Sequence, residues 1–455
     1  MPVTKFDVPE RYRYLEGFGS YHQSEALKDA LPVGQNSPQK PPYGLYTEKL
    51  SGTSFTAPRG QNQHSWLYRI LPTAAHNPFT KDETLAKIGT RSDLESLSYT
   101  PTQLRWSPFD IDASADWLHS MHLLAGRGNA ADKKGMAAFI YMAGKSMEAN
   151  TSFSSADGDL LIIAQQGTLD IRTDFGHLLV RPSEICVIPR GFRYHVSLPD
   201  GPVRGFAVEL YEGQWTLPNR GPIGSQSMAN ERDFQIPVAA FDHDTTSTFK
   251  IVTKFNNELF VATQTHTPFD VVAWHGLYYP WKYDLGRYAT ISSISYHHPD
   301  PSIFTVTAPG EAPGGPPVAE VAVFPPRWLA MEGTFRPPWY HRNTMAELVG
   351  LIKSPSHEET YGSFQPGGAR LHNTMTGHGP DSVTLERESN EELLPVKAGE
   401  GTLAFVIESN RLMGVSEWGL EGCGKRQKDY NAQTWLPLRS RFEMPDEKMD
   451  TGVSN

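Results

Sequence analysis

Cysteine is nearly absent from this chain, with only Cys186 and Cys423 among 455 residues. Two thiols cannot make a disulfide framework, so packing must hold the fold. Cys186 lies in the apolar run Glu184-Ile185-Cys186-Val187-Ile188, where a buried, inert thiol is expected, and neither cysteine is a convincing nucleophile. Long hydrophobic runs are also missing. The longest, Met136 to Ala143 and Leu160 to Ala164, fall far short of the roughly 20 residues a membrane-spanning helix needs. The opening Met-Pro-Val-Thr-Lys-Phe-Asp has no basic segment followed by an apolar one, so no secretory signal is read there. Basic residues are in the minority, 41 against 51 acidic, and the formal charge of -10 repels phosphate backbones and anionic headgroups. These absences lead us to expect a cytoplasmic protein with no nucleic-acid and no membrane partner.

The chain does have the means to fold. Hydrophobic residues make up 38%, with 22 Phe, 18 Tyr and 10 Trp, and charged residues at 20% are too few for a disordered chain. Glycines at 158, 167, 176, 191 and 201 punctuate short runs rich in Ile, Leu, Val and Tyr. This rhythm predicts an antiparallel sandwich or barrel, with strands at 160–164, 169–173, 177–180, 185–189 and 194–198. A second β-rich block begins near Tyr288, with strands expected at 303–307, 319–324 and 402–408. Helical signals are few, at 81–91 and 386–394. The 36 Pro and 39 Gly call for many loops, and the stretch from Ala308 to Pro317 is expected to form no regular element. The polar tail from Asp446 to Asn455 is expected to fray.

Metal-competent groups cluster in Tyr340-His341-Arg342-Asn343-Thr344-Met345-Ala346-Glu347 and in Leu371-His372-Asn373-Thr374-Met375-Thr376-Gly377-His378. Two histidines and one carboxylate drawn from this set would form a facial triad, holding one side of a borderline divalent metal and leaving positions open. His341 and Glu347 are six positions apart, which is about 240° around a helix or roughly 20 Å along a strand. The segment must therefore turn if both are to reach one ion. Loop histidines more often satisfy local hydrogen bonds than bind metals, so spacing alone leaves both readings open.

The residues Phe335-Arg336-Pro337-Pro338-Trp339-Tyr340-His341-Arg342-Asn343, Pro366-Gly367-Gly368 and His378-Gly379-Pro380-Asp381 resemble homogentisate dioxygenases. Similar stretches include Asn36-Ser37-Pro38-Gln39-Lys40, Trp274-His275-Gly276, Asp300-Pro301-Ser302-Ile303-Phe304 and Phe324-Pro325-Pro326-Arg327-Trp328, in family order along nearly the whole chain. The resemblance implies a mainly β, cupin-like (jelly-roll) fold. It divides into a large N-terminal part at 1–285 and an iron-binding catalytic part at 286–455. It also implies Fe(2+) held by His341, Glu347 and His378, with His298 as the acid/base histidine and His372 and His378 lining the pocket. The implied reaction joins homogentisate and O2 to give 4-maleylacetoacetate in tyrosine and phenylalanine breakdown, carried out by a homotrimer or homohexamer. Arg336 and Arg342 could meet a substrate carboxylate. His195, in the worn cupin motif Ile188-Pro189-Arg190-Gly191-Phe192-Arg193-Tyr194-His195, reads as a structural histidine, and the first module is assigned no metal.

One stretch departs from the family. After Gly350-Leu351-Ile352 the family has Gly-x-Tyr-Glu-Ala-Lys, whereas this chain has Ser354-Pro355-Ser356-His357-Glu358-Glu359-Thr360. The substrate-contacting tyrosine is missing, and Ser356 or His357 could take its place. Losing such a hydrogen bond can cost on the order of 10^4 in discrimination. The same ring opening on another substituted hydroquinone or related aromatic is therefore the alternative. A non-catalytic cupin binding protein is the third reading, and the occupied ligand positions argue against it.

Overall fold

The computed structural model describes residues 4–82, 94–219, 221, 224, 228–300, 304–309, 316–355 and 364–444. The chain is mainly β. In the N-terminal part, a nine-stranded sheet and a seven-stranded sheet supply the two walls of a sandwich. The first wall is centred on Glu184–Ile188, Asp159–Gln166, Val203–Leu210 and Lys134–Ala143. The second contains Gly176–Val180, Leu169–Thr173, Tyr194–Ser197, Thr151–Ser155 and Phe249–Phe255. Neighbours pair antiparallel except Phe249–Phe255 with Thr151–Ser155, which run parallel. Gly176 closes the tight hairpin at 169–180 in the left-handed region at φ +131, and a Cβ there would lie 2.1 Å from the Val238 carbonyl. A four-stranded sheet, running His22–Glu25, Val271–Gly276, His64–Arg69 and Tyr46–Ser51, covers one flank.

The strands expected between 160 and 198 are all present, shifted by no more than two residues at either end. The longest hairpin, Met121–Asn129 with Lys134–Ala143, was not expected as strand. Lys134–Ala143 is buried at nine of its ten positions, so both of its faces are apolar and it lacks the alternation that marks a half-buried strand.

The C-terminal part is built on a seven-stranded sheet in the order Trp215–Thr216, Thr305–Pro309, Glu320–Phe324, Leu403–Ser409, Ala346–Lys353, Ala369–His372 and Leu104–Trp106. Both edge strands come from the N-terminal part. In exchange, Gly414–Val415 pairs with Met121–Asn129 at the edge of the nine-stranded sheet. One hydrophobic core runs through both parts, from Leu67 to Val415. Ala308 and Pro309, expected in a loop, instead end the Thr305–Pro309 strand, where Pro309 pairs with Trp215. The helix expected at 386–394 lies at Ser382–Asn390 because Asp381 caps it, accepting the Thr384 N–H at 2.7 Å. The helix expected at 81–91, the start of the 303–307 strand and the fraying tail fall largely or wholly outside the described residues.

Candidate metal centre

His341 and His378 face one another across an isolated antiparallel bridge. The His341 N–H donates to the His378 carbonyl at 2.9 Å, and the His378 N–H donates back to His341 at 3.1 Å. Their rings lie 4.1 Å apart, centroid to centroid. Glu347, the second residue of Ala346–Lys353, pairs in register with His372 on one side and Glu408 on the other. Two turns make this possible. Asn343 accepts the Met345 N–H on its side-chain oxygen at 3.0 Å, bending the chain between His341 and Glu347. On the other limb Met375 adopts φ 57, and its N–H donates to the Asn343 carbonyl at 2.7 Å. The six-residue spacing is therefore reconciled by a turn followed by a strand.

One ligand atom from each of His341, Glu347 and His378 lies within 4.8 Å of the others, the only such group of three or more His, Cys, Asp or Glu among the described residues. His378 Nε2 is 3.0 Å from Glu347 Oε2, and His341 Nε2 is 3.7 Å from Glu347 Oε1. Each histidine is oriented through its other nitrogen: Nδ1 of His341 lies 2.8 Å from the Trp339 carbonyl, and Nδ1 of His378 lies 2.9 Å from the Thr376 carbonyl. A carbonyl can only accept, so each Nδ1 carries the proton and each Nε2 lone pair turns toward Glu347. Two neutral imidazole nitrogens and a carboxylate suit a borderline divalent cation. Glu347 and His378 are buried and His341 is partly open, giving the site one exposed side.

Charge follows geometry. Burial pushes the Glu347 carboxyl up, but when Nε2 of His341 and His378 carries a proton in place of a cation, those protons and the Asn343 amide outweigh it and hold the group well below the usual carboxylate range. Proximity to Glu347 raises His341 in turn. His372 stacks on His378 with centroids 4.0 Å apart, and its Nε2 lies 3.3 Å from the Tyr430 hydroxyl. Burial and the adjacent His378 drive it well below its ordinary value, so it is neutral, and its buried Nδ1 has no protein partner.

His298 is also buried. Its Nδ1 is 2.9 Å from the Pro299 carbonyl, and its buried Nε2 has no protein partner. Burial lowers its pKa. Its ring meets Trp339 edge-on at 5.7 Å, the residue whose carbonyl orients His341. The preceding His297 sits at φ 68, a turn that sets the two adjacent histidines in different environments: His297 is exposed and His298 is buried. Arg336 is buried and donates to the Leu394 carbonyl at 2.6 Å and the Met331 carbonyl at 3.2 Å, while its buried Nε has no protein partner. Arg342 is exposed. Ser356 and His357 lie outside the described residues.

Two residues at this site escaped sequence reasoning. Asn343 donates from Nδ2 to Glu347 Oε1 at 3.0 Å and lies 3.4 Å from Glu408 Oε2. Burial, then the charges of Glu320 and Glu347, raise Glu408 to about 7. Glu408 pairs directly with Glu320 and Glu347 on the flanking strands. The only available signal was its position in the apolar run Thr402 to Glu408, which says nothing about which strands flank it.

Family models for the N-terminal and C-terminal parts of homogentisate 1,2-dioxygenase match residues 13–285 and 286–442. The homogentisate 1,2-dioxygenase of Emericella nidulans is 56% identical over 446 residues, covering 98% of this chain and 99% of that protein. That of Drosophila melanogaster is 46% identical over 439 residues, with coverage of 95% and 99%. That of Caenorhabditis elegans is 44% identical over 447 residues, with coverage of 97% and 100%.

Proposed function

Because the chain belongs to the homogentisate 1,2-dioxygenase family, we propose that it opens the ring of homogentisate with O2 to give 4-maleylacetoacetate, using Fe(2+) held by His341, Glu347 and His378. The observation that carries the metal assignment is the convergence of these three donors, with both Nδ1 atoms tied to backbone carbonyls. Held by these three residues, iron(II) would supply Lewis-acid stabilisation of charge developing on oxygen. Three protein ligands on one side leave the positions that both reactants need.

The chain's own residues do the rest. We assign to His298 the removal of the ring hydroxyl proton; in support, its Nδ1 proton is committed to the Pro299 carbonyl and its Nε2 has no protein partner. Burial keeps it neutral at pH 7, the form a base requires. Trp339 touches His298 with its ring and His341 with its carbonyl, coupling the base to a ligand. Neutral His372 stacks on His378, and its buried Nδ1 has no protein partner. The homotrimeric or homohexameric state, the cytoplasmic location and the division at 285/286 belong to the same reading. No described residue favours a different hydroquinone as substrate, and relatives 44–56% identical over nearly the whole chain carry the homogentisate name.

Anaerobic loading with iron(II), followed by homogentisate and air, tests the proposal through oxygen uptake and the ultraviolet absorbance of the ring-opened product. We expect one O2 consumed per ring opened, and background activity in His341→Ala. Iron binding without turnover of homogentisate would overturn the substrate assignment.

A further inference from the structure

We propose that Asn343 is a positioning residue that restricts Glu347 to binding metal through one oxygen. This rests on Glu347 being a ligand, as proposed above. Asn343 occupies the turn between His341 and Glu347, and its side-chain oxygen is taken by the Met345 N–H. With that end fixed, its NH2 group must face the carboxylates, and it carries two protons to offer. One goes to Glu347 Oε1 at 3.0 Å, and the other points toward Glu408 Oε2 at 3.4 Å. Glu347 and Glu408 are directly opposed on adjacent strands, an arrangement that is unfavourable for like charges. Asn343 bridges them.

The two Glu347 oxygens consequently differ. Oε1 is held by the amide and lies 3.7 Å from His341 Nε2, whereas Oε2 accepts no amide and lies closer to an imidazole, 3.0 Å from His378 Nε2. A carboxylate with neither oxygen restrained can bind a cation through one or both. Binding through both would use up a position that the facial arrangement keeps for a reactant. The amide thus protects an open position as well as orienting the ligand.

The test measures iron(II) affinity by chelator competition and the iron coordination shell by X-ray absorption, on the full chain and on Asn343→Ser, Asn343→Asp and Glu347→Ala. Serine keeps an oxygen that can cap Met345 but lacks the amide donor. We expect affinity to fall about 10- to 100-fold, with one more oxygen in the shell and an unchanged melting temperature. Aspartate has the same shape and keeps the cap, but turns an acceptor toward two carboxylates, so its affinity should fall at least as far. Wild-type affinity and shell in both variants would overturn the proposal and leave Asn343 as a turn cap. Undiminished affinity in Glu347→Ala would instead overturn the ligand assignment on which it rests.

Discussion

The N-terminal sheets and the C-terminal sheet both bury carboxylates and neutralise them differently. Between the N-terminal sheets, Glu209 is paired with the Lys254 ammonium, both almost fully buried, and accepts the Ser155 hydroxyl at 2.6 Å. The Lys254 ammonium lies 5.5 Å from the Phe139 ring and 5.8 Å from the Tyr211 ring. The remaining cavity, lined by Phe153, Tyr194, Glu209 and Lys254 among others, is about 10 Å³, space for at most about one water. In the run from Ile188 to His195, Tyr194 faces this cavity and accepts the Trp117 indole N–H at 3.2 Å, while His195 lies against the Thr151 carbonyl at 2.9 Å. In the C-terminal module, Glu347 faces two imidazoles whose lone pairs converge on it. A built-in ammonium closes the first interior, whereas imidazoles leave the second in need of an outside cation. The identity of the group facing a buried carboxylate therefore decides whether the interior is closed or takes a cation.

The strongest way to break this contrast is to give the second module the first module's solution. His378→Lys would place an ammonium beside Glu347. We expect iron content and oxygen uptake to fall to background while circular dichroism still reports a folded β protein, and retained iron would refute the comparison. His298→Gln probes what the second module has beyond metal ligands. Removing the base should lower kcat by about 10^2 to 10^4 with iron content unchanged. Burial depresses the His298 pKa, so the base form persists below pH 6.5 and the acid limb of the wild-type pH–rate profile should lie below that value. The variant should lack that limb. The smallest effect on chemistry, though not on stability, is expected from Lys254→Met. It strands Glu209 without its cation and should cost about 3–5 kcal/mol of stability in urea titration, while iron content per folded chain stays at the wild-type level. Adding Glu209→Leu should recover most of the loss.

The sequence made some of this legible and hid the rest for physical reasons. Strands between 160 and 198 could be read because each is short, bounded by glycine turns and β-branched or aromatic in composition. Lys134–Ala143 could not, because a strand buried on both faces gives a continuous apolar run with no period. The helix begins four residues earlier than its polar stretch suggests because Asp381 caps it, and that stretch carries little periodic signal. At the site, resemblance pointed to His341, Glu347 and His378, but their spacing could not show how a turn at Asn343 and a left-handed Met375 bring them together. Glu408 meets Asn343 across 65 positions of sequence, and no local pattern encodes a cross-strand partner at that distance.

The central claim is that only the C-terminal module holds metal, and counting iron tests it most directly. Full-length protein loaded anaerobically with iron(II), desalted and analysed for metal should contain one iron per chain, and Glu347→Ala treated identically should contain none. Two irons per chain, or undiminished iron in Glu347→Ala, would contradict the account.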